Sequence, residues 1–108
     1  MKRELRVKNP RDFQRIMQRR RFKNSKSFSV YIDTKKEISP RFGISVPKKL
    51  GGAVLRNKTK RQVRSMVQDI GVFESDYDYI IMVRKSYFET SFEENRKDLE
   101  KLLKTVKI

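Results

Sequence analysis

Residues 79–83 restrict the fold more than any other segment, because five apolar side chains follow one another there. They read Tyr-Ile-Ile-Met-Val. The run is shorter than a typical helix, and apolar residues at successive positions place apolar side chains on both faces of a strand. The run therefore predicts a sheet that contains one strand buried on both faces.

Two earlier segments, residues 27–32 and 41–46, alternate apolar and polar side chains, as strands with one buried face do. The apolar positions are Phe28, Val30, Ile32, Phe42, Ile44 and Val46. Because only a polar connector separates the two segments, we expect them to pair as an antiparallel hairpin. A further short strand is expected near Phe22-Lys23.

Three segments have helical signals. Asn9 can cap a helix that starts at Pro10 and runs to about residue 20. A second helix runs from about Leu55 to Ile70 and is ended by Gly71, and a third starts at the capping box of residues 91–94 and runs to about Val106.

The predicted order is α-β-β-(β)-α-β-α. This is an α+β fold in which three helices pack on a single-layer small mixed sheet. The length of 108 residues fits a single domain over residues 1–108. Residues 1–8 are expected to be flexible, because we find no apolar anchor there.

Positive charge is concentrated in the first part of the chain. Residues 1–64 hold 21 basic and four acidic side chains, whereas residues 65–108 hold seven and nine, and the net charge is +15. A general halo of solvated lysines would not be so uneven, so this distribution favours a polyanionic partner. The domain is therefore predicted to bind RNA, DNA or an anionic membrane.

The second predicted helix concentrates this charge on one face. At 100° per residue, its apolar residues share one side, and the adjacent side carries Arg56, Asn57, Lys60, Arg61 and Arg64. No acidic residue occurs from Arg41 to Ser65. Like charges at i,i+4 spacing and cations near a helix N-terminus are both unfavourable, and a polyanion would offset both penalties.

A lysine- and glycine-rich loop precedes this helix. Lys48 and Lys49 lie close to Gly51-Gly52, and glycines let backbone amides approach a phosphate. An ordinary turn explains the glycines at least as well. The loop lacks the P-loop pattern, so nucleotide hydrolysis is not expected.

Residues 48–64, Lys-Lys-Leu-Gly-Gly-Ala-Val-Leu-Arg-Asn-Lys-Thr-Lys-Arg-Gln-Val-Arg, resemble the signature of the bacterial ribonuclease P protein subunit. That family has an arginine- and asparagine-rich helix after a Lys-Lys-x-Gly-x-Ala-Val loop. The resemblance extends to residues 5–17, 42–46 and 77–84. It implies a left-handed β-α-β crossover, against the usual right-handed rule.

The resemblance also implies a role. The partners would be the ribonuclease P RNA, which is the catalyst, and precursor tRNA, from which the complex removes the 5′ leader. The ribonucleoprotein would require Mg²⁺, while the protein alone would bind no cofactor or metal and supply no catalytic residue. No obligate protein partner and a cytoplasmic location are implied. The lack of histidine and cysteine agrees with a subunit that performs no chemistry itself.

The family uses two RNA surfaces. The one that faces the catalytic RNA would comprise Lys48, Lys49, Arg56, Asn57, Lys60, Arg61 and Arg64. A cleft for the single-stranded leader would be lined by Phe13, Met17, Ser29, Tyr31 and Ser45, with Lys48 at its edge. Strand alternation independently predicts that Tyr31 and Ser45 face away from the apolar stripes. Phe13 has the spacing of a core residue, and Met17 stands where the family often has an aromatic.

Three other classes of function compete with this interpretation. A generic RNA- or DNA-binding module of the ribosomal type explains the charge but not the motif spacing. A membrane-surface protein could use a basic amphipathic helix, but Val63 and Met66 are better used in a core. No run of apolar residues could span a membrane. A protein nuclease would need clustered metal-binding carboxylates, and residues 1–64 contain only Glu4, Asp12, Asp33 and Glu37.

Overall fold

The computed structural model describes residues 5–106 and has three helices around one four-stranded sheet. In chain order the elements are α1 (Pro10–Gln18), β1 (Phe22–Asn24), β2 (Phe28–Thr34), β3 (Phe42–Ser45), α2 (Ala53–Ile70), β4 (Tyr77–Val83) and α3 (Phe92–Thr105). Short 3₁₀ turns occupy Lys48–Leu50 and Lys85–Glu89. The predicted α+β class, the three helices and the short strand near Phe22 are confirmed.

The sheet order is β1-β2-β4-β3, so the predicted hairpin between β2 and β3 is wrong. β4 lies between them, antiparallel to β2, with Phe28 opposite Val83, and parallel to β3, with Phe42 opposite Tyr79. The physical reason lies in β4 itself. It has apolar side chains on both faces, and a position between two strands buries both faces.

Different helices pack on the two faces of the sheet. α2 and α3 pack on one face and enclose the main core, in which Val63, Met66 and Leu99 are fully buried. α1 packs on the other face, where Ile16 and Ile80 are fully buried. Within the part of the chain that the structure describes, no helix is long and apolar enough to cross a membrane.

α2 begins at Ala53, two residues earlier than predicted, and ends at Gly71, which adopts φ 71°. The predicted inner face is confirmed at Thr59, Val63, Met66 and Val67, which are buried. Leu55, in the first turn of α2, does not belong to the core, because it is 39% exposed.

The segment before α1 runs beside β3. Leu5 and Val7 are buried, and the Val7 N–H donates a hydrogen bond of 3.0 Å to the Phe42 carbonyl. The expectation of a flexible N-terminus rested on an absence of apolar anchors, and these two residues are such anchors. The remaining part of that expectation, residues 1–4, lies outside the described residues.

Buried ion pairs hold α1 over the sheet. Arg15 of α1 donates hydrogen bonds to Asp33 of β2 and Asp78 of β4, and the Asp78 contact measures 2.9 Å. Arg41 binds Asp78 at 3.2 Å and Asp12 at 3.2 Å. Because Asp78 is fully buried, its charge depends on both arginines for stabilisation.

Candidate RNA-binding surfaces

The basic face of α2 has cations without acidic partners. Asn57 and Arg61 are exposed, whereas Arg56, Lys60 and Arg64 are half-buried. No salt bridge among residues 5–106 involves any of these five residues, and the one that reaches α2 joins Asp69, near the end of the helix, to Arg96 of α3. The five residues predicted for this face therefore come together as one surface whose charge is not compensated within the described chain.

The loop before α2 extends this surface. Lys48 and Lys49 are exposed on the 3₁₀ turn, and the Arg56 Nε–H donates a hydrogen bond of 3.1 Å to the Gly51 carbonyl. This bond joins the loop to the helix. A Cβ at Gly51 would meet the end of the Leu55 side chain, which is partly exposed and can move aside. Gly52 has open space around its Cα.

The predicted leader cleft divides into two adjoining regions. In the first, Phe13, Met17 and Tyr31 pack around Ile80 under α1, and all three are half-buried. A groove of about 740 Å³ opens along Phe13 and Met17. Phe13 is thus both a core contact and a groove wall. Tyr31 also contacts Phe22 of β1, with ring centroids 5.0 Å apart.

Phe13 can lie this close to the sheet only because residue 43 has no side chain. A Cβ on Gly43 would lie 2.7 Å from the Phe13 ring and 2.7 Å from Ile80 Cδ1. The aromatic ring, the Ile80 methyl group and the strand backbone are therefore in direct contact. Gly43 sets the depth at which Phe13 sits.

The second region contains Ser29 and Ser45, which flank Met82 across the sheet. Ser45 is half-buried, but Ser29 is only 9% exposed, and its hydroxyl donates a hydrogen bond of 2.6 Å to Asn24 Oδ1. Ser29 therefore exposes only a small part of its surface to a ligand.

A groove of about 810 Å³ continues from Ser29 and Met82 between α2 and the second 3₁₀ turn. Its walls include Lys49, Arg84, Lys85 and Phe88, whereas Lys48 is not among its lining residues. Sequence analysis missed Met82, Arg84, Lys85 and Phe88. A signal for two of them was present, because two cations directly follow the buried strand and so must emerge at its end.

The carboxylates on the α1 side are already paired. Burial would raise the pKa of Asp12, but the positive charges of Arg41, Lys36 and Arg15 outweigh it and lower that pKa. Asp33 follows the same pattern, with hydrogen bonds from Arg15 and the Thr34 backbone lowering its pKa against the effect of burial. Among residues 5–106, no group of three acidic side chains could hold a metal ion.

One family model and several known proteins match this chain. The family model described as Ribonuclease P matches residues 1–107. The ribonuclease P protein component of Mesoplasma florum is 41% identical over 105 residues, which cover 95% of this chain and 96% of that protein. That of Bacillus velezensis is 38% identical, with coverage of 96% and 90%.

Solved structures agree with the sequence relatives. The ribonuclease P protein of Staphylococcus aureus superposes with a TM-score of 0.82 at 37% identity, covering 94% of this chain and 96% of that one. The protein of Thermotoga maritima superposes with a TM-score of 0.83 at 30% identity, covering 95% and 98%. The matched model spans nearly the whole chain, including the basic helix and both grooves, and the chain therefore belongs to the ribonuclease P protein family.

Proposed function

We propose that this chain is the protein subunit of a bacterial ribonuclease P and acts in it by binding RNA. Its partners are the ribonuclease P RNA and precursor tRNA, whose 5′ leader the complex removes. The observation that carries the proposal is the α2 face with its lysine lead-in, where cations lie together without acidic partners among residues 5–106. Arginine forks bind phosphate well, and such a surface suits a structured RNA.

In this proposal the RNA subunit performs the chemistry. The chain has no histidine or cysteine to act as general base or nucleophile. The buried carboxylates of Asp33 and Asp78 are occupied by arginines, which makes them poor general bases or metal ligands. The Mg²⁺ that the ribonucleoprotein requires is therefore assigned to the RNA and its substrate.

We assign the single-stranded leader to the α1 face of the sheet, opposite the face that α2 covers. Phe13, Met17 and Tyr31 provide apolar and aromatic surface for unpaired bases, and the groove beyond them ends at Arg84 and Lys85. Single strands are commonly held by aromatic stacking within a basic groove. The path thus runs from α1 along the sheet into the groove that Lys49, Arg84 and Lys85 line.

The competing proposal is a generic RNA-binding protein of the ribosomal type. It shares the basic helix but has no reason to distinguish substrates by their leaders. Binding measurements with precursor and mature tRNA separate the two, since only a leader cleft predicts tighter binding of the precursor by the protein–RNA complex. Equal affinity for both tRNAs would favour the generic module.

A cleavage assay with the protein alone tests the proposal that the RNA subunit, and not the protein, performs the cleavage. We expect no product from precursor tRNA when the purified chain is incubated without the RNA subunit. A Staphylococcus aureus relative is described as a mutant with defective mRNA degradation activity, so an unrelated mRNA belongs in the same assay. Cleavage that copurifies with the chain and survives nuclease-inhibitor controls would overturn the proposal that the protein supplies no chemistry.

A further inference from the structure

The segment before α1 places one arginine on the same face of the sheet as α2. Arg6 pairs with Phe42 in parallel register, and paired residues point to the same face. Phe42 packs into the core beneath α2, whereas the neighbouring Val7 packs on the α1 side with Ile16. Arg6 therefore emerges at the sheet edge beside α2.

Among residues 5–106, the Arg6 guanidinium has no acidic partner. Its Nε is shielded from solvent and has no hydrogen-bond acceptor there, and no carboxylate of those residues forms a salt bridge with it. The Nε atoms of Arg15 and Arg41 also lack acceptors, but their other nitrogens bind Asp33 and Asp78. A buried donor without an acceptor normally has an explanation, such as a ligand.

Arg64, half-buried on the basic face of α2, is a second guanidinium, close enough to Arg6 for the two charges to interact. Partial burial and the positive charge of Arg6 together lower the pKa of Arg64. Two cations thus approach each other where water is partly excluded, and no acid of the described chain relieves them. Like charges in such a site are unfavourable unless an anion lies between them.

We propose that Arg6 and Arg64 form one anion site that holds a single backbone phosphate of the RNA subunit. The site rests on the proposed function, because it extends the basic face of α2. Arg56, Lys60 and Arg64 form a row about 12 Å long on the helix. Arg6 continues the row past the helix onto the edge of the sheet, so the docking surface includes a strand as well as a helix.

The salt dependence of binding tests whether the two arginines share one phosphate. Each phosphate contact contributes about 0.7–0.9 to the slope of log affinity against log salt. Arg6→Ala and Arg64→Ala should each lower the slope for a bacterial ribonuclease P RNA by about that amount, and the double variant should lower it by no more than either single variant. Arg6→Lys should keep most of the slope.

Lys101→Ala, at an exposed position on α3, is the matched control and should leave the slope unchanged. A double variant that loses twice the slope of the single variants would overturn the shared site, as would an unchanged slope for Arg6→Ala. If Arg6→Ala fails to fold by circular dichroism, Arg6→Gln replaces it with the same required outcome. Arg61→Ala separates the two proposals: if its slope falls while that of Arg6→Ala does not, only the shared site fails.

Discussion

At the scale of single residues, the proposed function gives the basic face of α2 and the leader cleft different means of binding RNA. Arg61 is exposed and forms no salt bridge with residues 5–106, whereas Tyr31 is half-buried and packs against Phe22. The first contact is electrostatic and weakens with salt, while the second depends on stacking. Substitutions at these two positions should therefore affect different measurements.

Arg61→Ala should weaken binding to the ribonuclease P RNA and lower its log–log salt slope by about 0.7–0.9, because one phosphate contact is lost. Filter binding at several salt concentrations measures both quantities. Lys97→Ala serves as the control, because Lys97 is an exposed cation on α3, outside the proposed RNA-binding face of α2. A slope equal to that of the unchanged protein would place Arg61 outside the interface.

Tyr31→Ala should reduce affinity for leader-bearing precursor tRNA by about 1–3 kcal/mol, the usual value of one stacked base. Affinity for mature tRNA should change little, because mature tRNA has no leader to stack. Tyr31→Phe keeps the ring and should bind almost as the unchanged protein does. Equal losses for precursor and mature tRNA with Tyr31→Ala would argue against a leader contact at this position.

At the scale of elements, local patterns identified the helices and strands but not how the strands pair. Capping at Asn9 and Ser91 is confirmed, since Asn9 accepts a hydrogen bond from Arg11 and Ser91 from Glu94. The predicted pairing of β2 with β3 was wrong. Short connectors suggest hairpins, whereas the position of β4 depends on contacts between residues some 50 positions apart. The two-sided apolar run of β4 was the one signal that could have shown this.

The same contrast between local patterns and long-range contacts applies to the candidate sites. Residues 48–64 are contiguous, so helical periodicity was enough to predict that their basic side chains share one face of α2. The groove wall at Arg84 and Phe88 combines residues from separate elements, and no local pattern joins them to Ser29. Arg6 was missed for a related reason, since its orientation comes from pairing with Phe42.

The attachment of α1 to the sheet should depend on pH. The folded pKa values of Asp12 and Asp33 lie below the ordinary value of 3.8, so their ion pairs stabilise the fold above that pH and are lost as pH falls through the folded values. The free energy of unfolding should thus be nearly constant from pH 7 to about 5 and fall below about pH 4.

Urea unfolding at pH 7, 5, 4 and 3 measures this dependence. Asp33→Asn should be less stable than the unchanged protein at pH 7, and the difference should shrink at pH 3, where the unchanged carboxyl is increasingly protonated. Glu74→Gln, at an exposed position before β4 and without a salt bridge among residues 5–106, should follow the unchanged protein throughout. A constant difference from pH 7 to pH 3 would contradict the role of the Asp33 charge.

At the scale of the whole molecule, charge and topology separate the proposed RNA surfaces. The sheet lies between α2, with its unpaired cations, and α1, which borders the leader groove. One small domain can therefore contact the catalytic RNA on one side and the substrate leader on the other. The acidic side chains concentrate in the C-terminal half, which is consistent with a surface turned away from RNA.

The central claim is that the chain contributes binding to two RNAs and leaves the chemistry to its RNA partner. The most direct test is reconstitution with a bacterial ribonuclease P RNA at low Mg²⁺, with precursor tRNA as substrate and single-turnover cleavage as the readout. The account predicts that the protein lowers the Mg²⁺ concentration needed for cleavage and favours precursor over mature tRNA in binding. An unchanged Mg²⁺ requirement together with equal affinity for both tRNAs would contradict it.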